Sequence, residues 1–273
     1  MLRVGRIPFL NLLPIYLALE TGFPLEYVRF VSGHPSELNR MLRTGKLDIS
    51  PSSSIEYGKH PERYLLVPDV SISSRSKVMS VLLFSHRRAA DLPGEAIAVT
   101  RSSDTSVILL EILLREFLGK RNRLVRTSLS PADALRSHPA YLAIGDEAIR
   151  ASLAGVADHV TDLGEWWNRE TGMPFVFALW IVSRDSLREQ RTPVQRFART
   201  LLSAKKIARE EIGRRESGIP APEWVPRDFL SEYWQNLSYD LAGEIEGLER
   251  FFLLAAKIGR IPAAPPLRFL DLA

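Results

Sequence analysis

Two apolar runs constrain this chain more than anything else in it. Lys77–Ser85 is nearly continuous in Val, Met, Leu and Phe, and Phe175–Ser183 is nearly continuous in Phe, Val, Leu, Trp and Ile. Runs of this length without polar alternation read as strands covered on both faces, because a strand with one wet face alternates. Between them a strand-and-helix pattern starts afresh: strand Ala96–Thr100, helix Thr105–Leu118, strand Leu124–Ser128, helix Pro131–Arg136, strand Tyr141–Ile144, helix Asp146–Leu153. A self-contained unit bracketed by two buried strands predicts a chain that crosses from one lobe to another and returns. A length of 273 residues is also where a single core begins to divide.

The chain before the first run repeats the same grammar. Arg3–Phe9 reads as a strand, Pro14–Glu20 as a helix, Leu25–Val31 as a strand, Ser36–Thr44 as a helix stopped by Gly45, and Leu47–Ser50 as a short strand. After the second run, Val194–Ile212 and Phe229–Ile258 carry apolar stripes at helical spacing. The expected fold is therefore α/β and two-lobed, each lobe a mostly parallel sheet flanked by helices. Residues 1–85 with 174–273 form the first lobe and 86–173 the second, with a ligand cleft between them. This is the architecture of the type 2 periplasmic binding proteins.

Several function classes are set aside by composition. The chain has no cysteine, which removes disulfides, thiolate metal sites and a cysteine nucleophile. Its five histidines are scattered, and no pair has a spacing that would place two imidazoles on one metal, so neither metal nor cofactor is expected. No basic segment followed by a long apolar stretch opens the sequence, and the run at 174–182 is too short to span a bilayer, so a cytoplasmic location and no membrane contact are expected. Net charge is +4 with the basic residues dispersed. The one dense cluster, Lys120–Arg126, lacks interleaved aromatic residues for stacking on bases, which argues for a solvated loop and against nucleic acid.

Two hydroxyl-rich runs stand out against this background, Ser52-Ser53-Ser54 before Ile55-Glu56-Tyr57, and Ser102-Ser103-Asp104-Thr105-Ser106. Each lies between an apolar segment and a helical pattern, where free backbone N–H groups collect and an anion can be held without a buried positive charge. Two such cradles suggest a small ligand with two anionic ends. The plainer alternative is local capping. Ser53 and Glu56 have the spacing of a capping box, Ser103 is a natural N-cap, and Thr105 would follow it in the first turn.

Further segments bring a resemblance into view. Phe9-Leu10-Asn11 with Pro14, Ser53-Ser54-Ile55-Glu56-Tyr57, Asp69-Val70-Ser71-Ile72-Ser73, Ser80-Val81-Leu82-Leu83-Phe84-Ser85, Thr105-Ser106, Ile144-Gly145-Asp146-Glu147 and Thr171-Gly172-Met173-Pro174-Phe175 occur in one collinear order. Together they resemble the menaquinone-biosynthesis chorismate dehydratases of the futalosine route. The resemblance implies a cofactor-free lyase that removes water from chorismate to give 3-[(1-carboxyvinyl)oxy]benzoate. The sister enzyme that makes a dihydroxynaphthoate ranks second, since its His-x-Gly-Gln pattern is absent, and a non-catalytic binding protein of the same fold is a third reading.

The residues singled out for catalysis are Asn11, Asp146 and Glu56. Ser53, Ser54, Ser80, Ser103, Thr105, Ser106 and Gly145 are singled out for binding the substrate carboxylates. Asn11 falls in the loop after the first strand, where open α/β sheets place ligands, although an Asn there also serves a turn. Asp146 either meets the substrate hydroxyl or caps its own helix. The general base stays open among Glu56, Asp146, His34 and the substrate's own side-chain carboxylate. Phe9 stands where the family places Tyr, Arg101 beside the second cradle points either to a carboxylate or to solvent, and Trp166-Trp167 either closes over a ring or packs the hinge.

Overall fold

The computed structural model describes residues 1–214 and 218–273. In chain order the first elements are β1 (Leu2–Arg6), α1 (Leu13–Gly22), β2 (Val28–Ser32), α2 (Pro35–Arg43), β3 (Ile49–Ser53), α3 (Ser54–Lys59), β4 (Tyr64–Ser74) and β5 (Val81–Ser85). The middle of the chain forms β6 (Ile97–Thr100), α4 (Thr105–Ile112), β7 (Leu124–Thr127), α5 (Pro131–Leu135), β8 (Ala140–Ile144), α6 (Gly145–Leu153), β9 (His159–Asp162) and α7 (Leu163–Thr171). The return is β10 (Phe175–Ser183), followed by α8 (Arg184–Glu189), α9 (Arg191–Ile212), α10 (Arg227–Asn236), β11 (Leu237–Ser238) and α11 (Ile245–Lys257). No helix among these residues is long and apolar enough to cross a membrane.

The strands make two sheets, one of six in the order β11-β4-β10-β3-β1-β2 and one of five in the order β7-β6-β8-β5-β9. The two-lobed α/β architecture is the expected one, but both sheets are mixed where mostly parallel sheets were expected. β1 pairs in parallel with β2 and β3, and β6 in parallel with β7 and β8. The crossing strands run the other way: β10 is antiparallel to β3 and β4, and β5 is antiparallel to β8 and β9. A strand that enters a sheet from the other lobe is not constrained by a helical crossover to lie parallel. The pairing of β5 also places it in the second sheet, so the boundary drawn after Ser85 falls one strand late.

Local chemistry explains the remaining differences. β5 starts at Val81, short of the expected Lys77, because the N–H groups of Val78 and Met79 turn away to the Asp162 carboxylate at 2.7–3.2 Å and Met79 takes a left-handed φ of +58°. β4 is absent from the sequence reading because Pro68 and Asp69 interrupt it. Its pairing with β10 jumps from Leu66 opposite Ile181 to Ser71 opposite Leu179, and Asp69 sits in the intervening bulge at a φ of +50°. The C-terminal stripe is likewise not one helix, because β11 joins the edge of β4 between α10 and α11. α2 ends as expected, with Gly45 at a φ of +69° just beyond it, and it buries Leu38 and Leu42.

Candidate functional site

A cavity of about 570 Å³, open mouth included, lies between the lobes at the carboxyl ends of β1, β3 and β8. The position is the usual one for a small-molecule site in an open α/β fold. Of the residues singled out from sequence, Asn11, Ser53, Ser80, Ser103, Ser106 and Gly145 line it. Apolar side chains that include Phe9, Ile72, Val81, Ile144 and Phe177 make up most of the rest. No lining residue carries a carboxylate, imidazole, amine or guanidinium.

Each polar group reaches the cavity by a specific local device. Asn11 follows β1, and its side-chain oxygen is buried without a hydrogen-bond partner, so an acceptor stands ready at the wall. Ser53 ends β3, and its hydroxyl accepts from Asn39 Nδ2 at 2.9 Å instead of capping α3. Ser103 Oγ accepts from the Ser106 N–H at 3.1 Å and donates to Ser106 Oγ at 3.0 Å, which ties the entry of α4 into a small hydroxyl cluster. Ser80 Oγ accepts from Tyr233 Oη at 3.0 Å, and the Ser80 carbonyl accepts from the Gly145 N–H at 2.7 Å. Gly145 is the one lining position where the backbone demands glycine. Its φ is +61°, and a Cβ there would meet the Phe9 ring at 3.0 Å.

Four of the candidates lie elsewhere. Glu56 is fully buried, paired with Arg43 and bonded to Tyr64 Oη at 2.9 Å, so neither the capping-box reading nor a place in the cavity holds for it. Ser54 donates to the Val176 carbonyl at 2.6 Å, which fastens α3 to the return strand. Thr105 Oγ1 accepts from the Ile55 N–H at 3.0 Å across the lobe boundary. Asp146 accepts at Oδ1 from the Leu10 N–H at 3.0 Å, also across the boundary, and burial pushes its carboxyl above the usual value. These last two tie the lobes together around the cavity without lining it.

The same geometry places the other residues singled out from sequence. His34 is exposed at the start of α2 and does not line the cavity, and neither does Arg101, which is exposed. Trp166 and Trp167 are buried in the core, with Trp167 Nε1 donating to the Pro174 carbonyl at 3.1 Å, so they pack the return of the chain. In the basic cluster, Lys120 bonds the Leu92 carbonyl and Arg126 pairs with Asp104, while Arg121 and Arg123 are exposed.

Residues that sequence reasoning missed hold the site from behind. Asp162 caps α7 through the N–H groups of Gly164 and Glu165 and also takes those of Val78 and Met79, setting the turn that presents Ser80. Trp234 Nε1 donates to the Leu10 carbonyl at 2.8 Å, and Tyr239 Oη donates to the Asn11 carbonyl at 2.7 Å. The Asp162-Leu163-Gly164-Glu165 stretch is a readable cap signal; a side chain that bonds a distant carbonyl leaves no such mark.

Comparison with known proteins shows the family of the chain. Residues 2–257 match a family model described as menaquinone biosynthesis. Chorismate dehydratase of Thermus thermophilus is 34% identical over 227 residues, which are 77% of this chain and 78% of that protein. Chorismate dehydratase of Campylobacter jejuni is 29% identical over 179 residues, 64% of each chain. Among solved structures, a Candida albicans protein described as exhibiting the generic periplasmic binding protein structural fold matches with a TM-score of 0.60 at 13% identity, covering 100% of this chain and 98% of that one. That likeness speaks for the fold alone.

Proposed function

This chain belongs to the menaquinone biosynthesis family, and from that premise we propose that it is a chorismate dehydratase, a hydro-lyase that converts chorismate to 3-[(1-carboxyvinyl)oxy]benzoate and water. The reading carries with it the cytoplasmic location that the family resemblance implies. The observation that carries the mechanism is the lining of the cavity, which offers hydroxyls, an amide and apolar walls but no titratable side chain.

Chorismate suits such a site. It bears a hydrogen at C3 and a hydroxyl at C4, and loss of both makes the ring aromatic, so the substrate supplies much of the driving force. Its enolpyruvyl carboxylate lies beside C3. With no base in the wall, that carboxylate takes the C3 proton, the electrons of the C–H bond complete the aromatic sextet as the C4–O bond breaks, and the carboxylic acid so formed passes the proton to the departing oxygen, which leaves as water while the carboxylate is restored.

The protein's part is to hold and orient, which can account for a large share of a barrier when the reacting groups are fixed in a near-attack geometry. The Ser103–Ser106 cluster at the start of α4 and Ser53 at the end of β3 donate to the two carboxylates. Asn11 carries a buried, unpaired amide oxygen that accepts from the C4 hydroxyl, and its N–H donates to the enolpyruvyl carboxylate. The apolar wall keeps water off the reacting carbons and strengthens each of these bonds.

Incubation of the purified protein with chorismate, followed by chromatography with mass detection, tests the reading. Protein-dependent appearance of a product lighter by one water supports it. Chorismate that binds and raises Tm but is never consumed would make this a binding protein, and chorismate that does neither overturns the substrate assignment.

A further inference from the structure

The loop that carries Asn11 is fixed by a segment more than two hundred residues away in sequence. Tyr239 is fully buried, and its hydroxyl donates to the backbone carbonyl of Asn11 at 2.7 Å. Both neighbours of Tyr239 are themselves clamped. The Ser238 carbonyl accepts from Ser73 Oγ at 3.1 Å, and Ser238 Oγ donates to Glu244 at 3.1 Å. The Asp240 carbonyl accepts from Ser71 Oγ at 2.5 Å, and the Asp240 carboxylate pairs with Arg209 and with Lys205 at 2.7 Å.

Lys205 is the far anchor. Its side chain is buried on α9, and its ammonium donates to the Asp69 carbonyl at 2.5 Å, the Asp69 carboxylate at 2.9 Å and Asp240, so its three protons are all engaged. Asp69 is the left-handed residue in the bulge of β4. A bulge with a non-glycine residue at positive φ is held only by contacts that over-determine it. Here those contacts join α9, β4 and the 238–240 strap into one frame, and the phenol of Tyr239 projects from that frame onto Asn11.

We propose that Tyr239 is a positioning residue for Asn11, anchored through Asp240 by Lys205, so that the amide of Asn11 meets substrate in one orientation. The proposal rests on the dehydratase reading for its kinetic consequence, but the geometry it asserts exists without substrate. Tyr239→Phe deletes only the hydroxyl and keeps the ring. The expected result is a fall in kcat of about tenfold with KM for chorismate within about twofold, and no further fall when the same change is made in an Asn11→Ser background.

A second readout needs no turnover. The side-chain amide signals of Asn11 in a nitrogen–proton correlation spectrum, assigned by their loss in Asn11→Ser, are expected to shift or broaden in Tyr239→Phe. Shifted amide signals in a protein that leaves chorismate untouched would sink the dehydratase reading and keep the positioning role. Unmoved signals, unchanged kcat, or an equal loss in the Asn11→Ser background would overturn the positioning role whatever the substrate. Should Tyr239→Phe fail to fold, Asp240→Ala removes the acceptor that Lys205 holds without touching the phenol and carries the same expectations.

Discussion

Oδ1 of Asp146 accepts a hydrogen bond from the backbone N–H of Leu10 at 3.0 Å, joining the second lobe to the loop that presents Asn11. The pair closes the cavity at the point where α6 begins, next to Gly145 and its contact with Phe9. Asp146 does not line the cavity, and we propose that it works on the shape of the site and not on the reacting atoms.

That role makes a clear prediction. Asp146→Asn keeps an acceptor at Oδ1 and is expected to retain kcat within about threefold, whereas Asp146→Ala removes it. Loss of a hydrogen bond to a charged group costs about 1.5–3 kcal/mol, so Asp146→Ala is expected to raise KM for chorismate by about tenfold or more. Steady-state kinetics of the two variants decide it. A thousandfold loss of kcat in Asp146→Asn would instead make Asp146 the general base.

Glu56 separates stability from catalysis in the same way. Its buried carboxylate is paired with Arg43 and bonded to Tyr64 Oη, so Glu56→Gln leaves the guanidinium short of a partner. The expected cost is about 2–3 kcal/mol of folding stability, read as a shift of the denaturation midpoint, with kcat within a few-fold of the parent. A large drop in kcat at unchanged stability would contradict this placement.

Gly145→Ala brings two penalties together. A side chain at a φ of +61° costs about 1–2 kcal/mol, and the new Cβ would lie 3.0 Å from the Phe9 ring. Turnover is expected to fall at least tenfold, and Phe9→Ala in the same chain is expected to recover part of it by removing the clash. Equal activity of Gly145→Ala and the parent, measured under saturating chorismate, would show that this contact does not shape the site.

Acid should loosen the lobes. Burial alone would raise the Asp104 and Glu111 carboxyls, but Lys59 and Arg126 facing Asp104, and Arg260 and Arg115 facing Glu111, overcome it and hold both below their usual values of 3.8 and 4.5. A folded-state value below the unfolded one contributes stability that is present above the unfolded value and lost as pH falls through the folded value. Tm is therefore expected to drop steeply below pH 4.5. Lys59→Met, which removes the partner 3.1 Å from Asp104 across the lobes, is expected to flatten part of that drop. An acid limb identical in Lys59→Met and the parent would contradict the assignment.

The sequence made the frame of the fold legible because burial leaves a compositional mark. Phe175–Ser183 reads as a two-sided buried strand and is one, and Ser53, Ser103 and Ser106 stand at strand and helix ends where backbone geometry delivers them to the cavity. What stayed hidden depends on partners far along the chain. Glu56 has the spacing of a cap, and only the fold reveals Arg43 and Tyr64 around it. Pro68 and Asp69 disguise β4, whose bulge is stabilised by Lys205 on α9. Trp234 and Tyr239 act on the carbonyls of Leu10 and Asn11, and a carbonyl has no sequence signature.

In the proposed mechanism the substrate's own carboxylate does the work of a base, in a cavity whose lining has none. The most direct measurement incubates the protein in parallel with chorismate and with the analogue whose enolpyruvyl carboxylate is a carboxamide, following loss of water by mass. Enzyme-dependent dehydration of chorismate and none of the carboxamide is the expected result. Dehydration of both at similar rates would contradict it and require a proton acceptor from the protein.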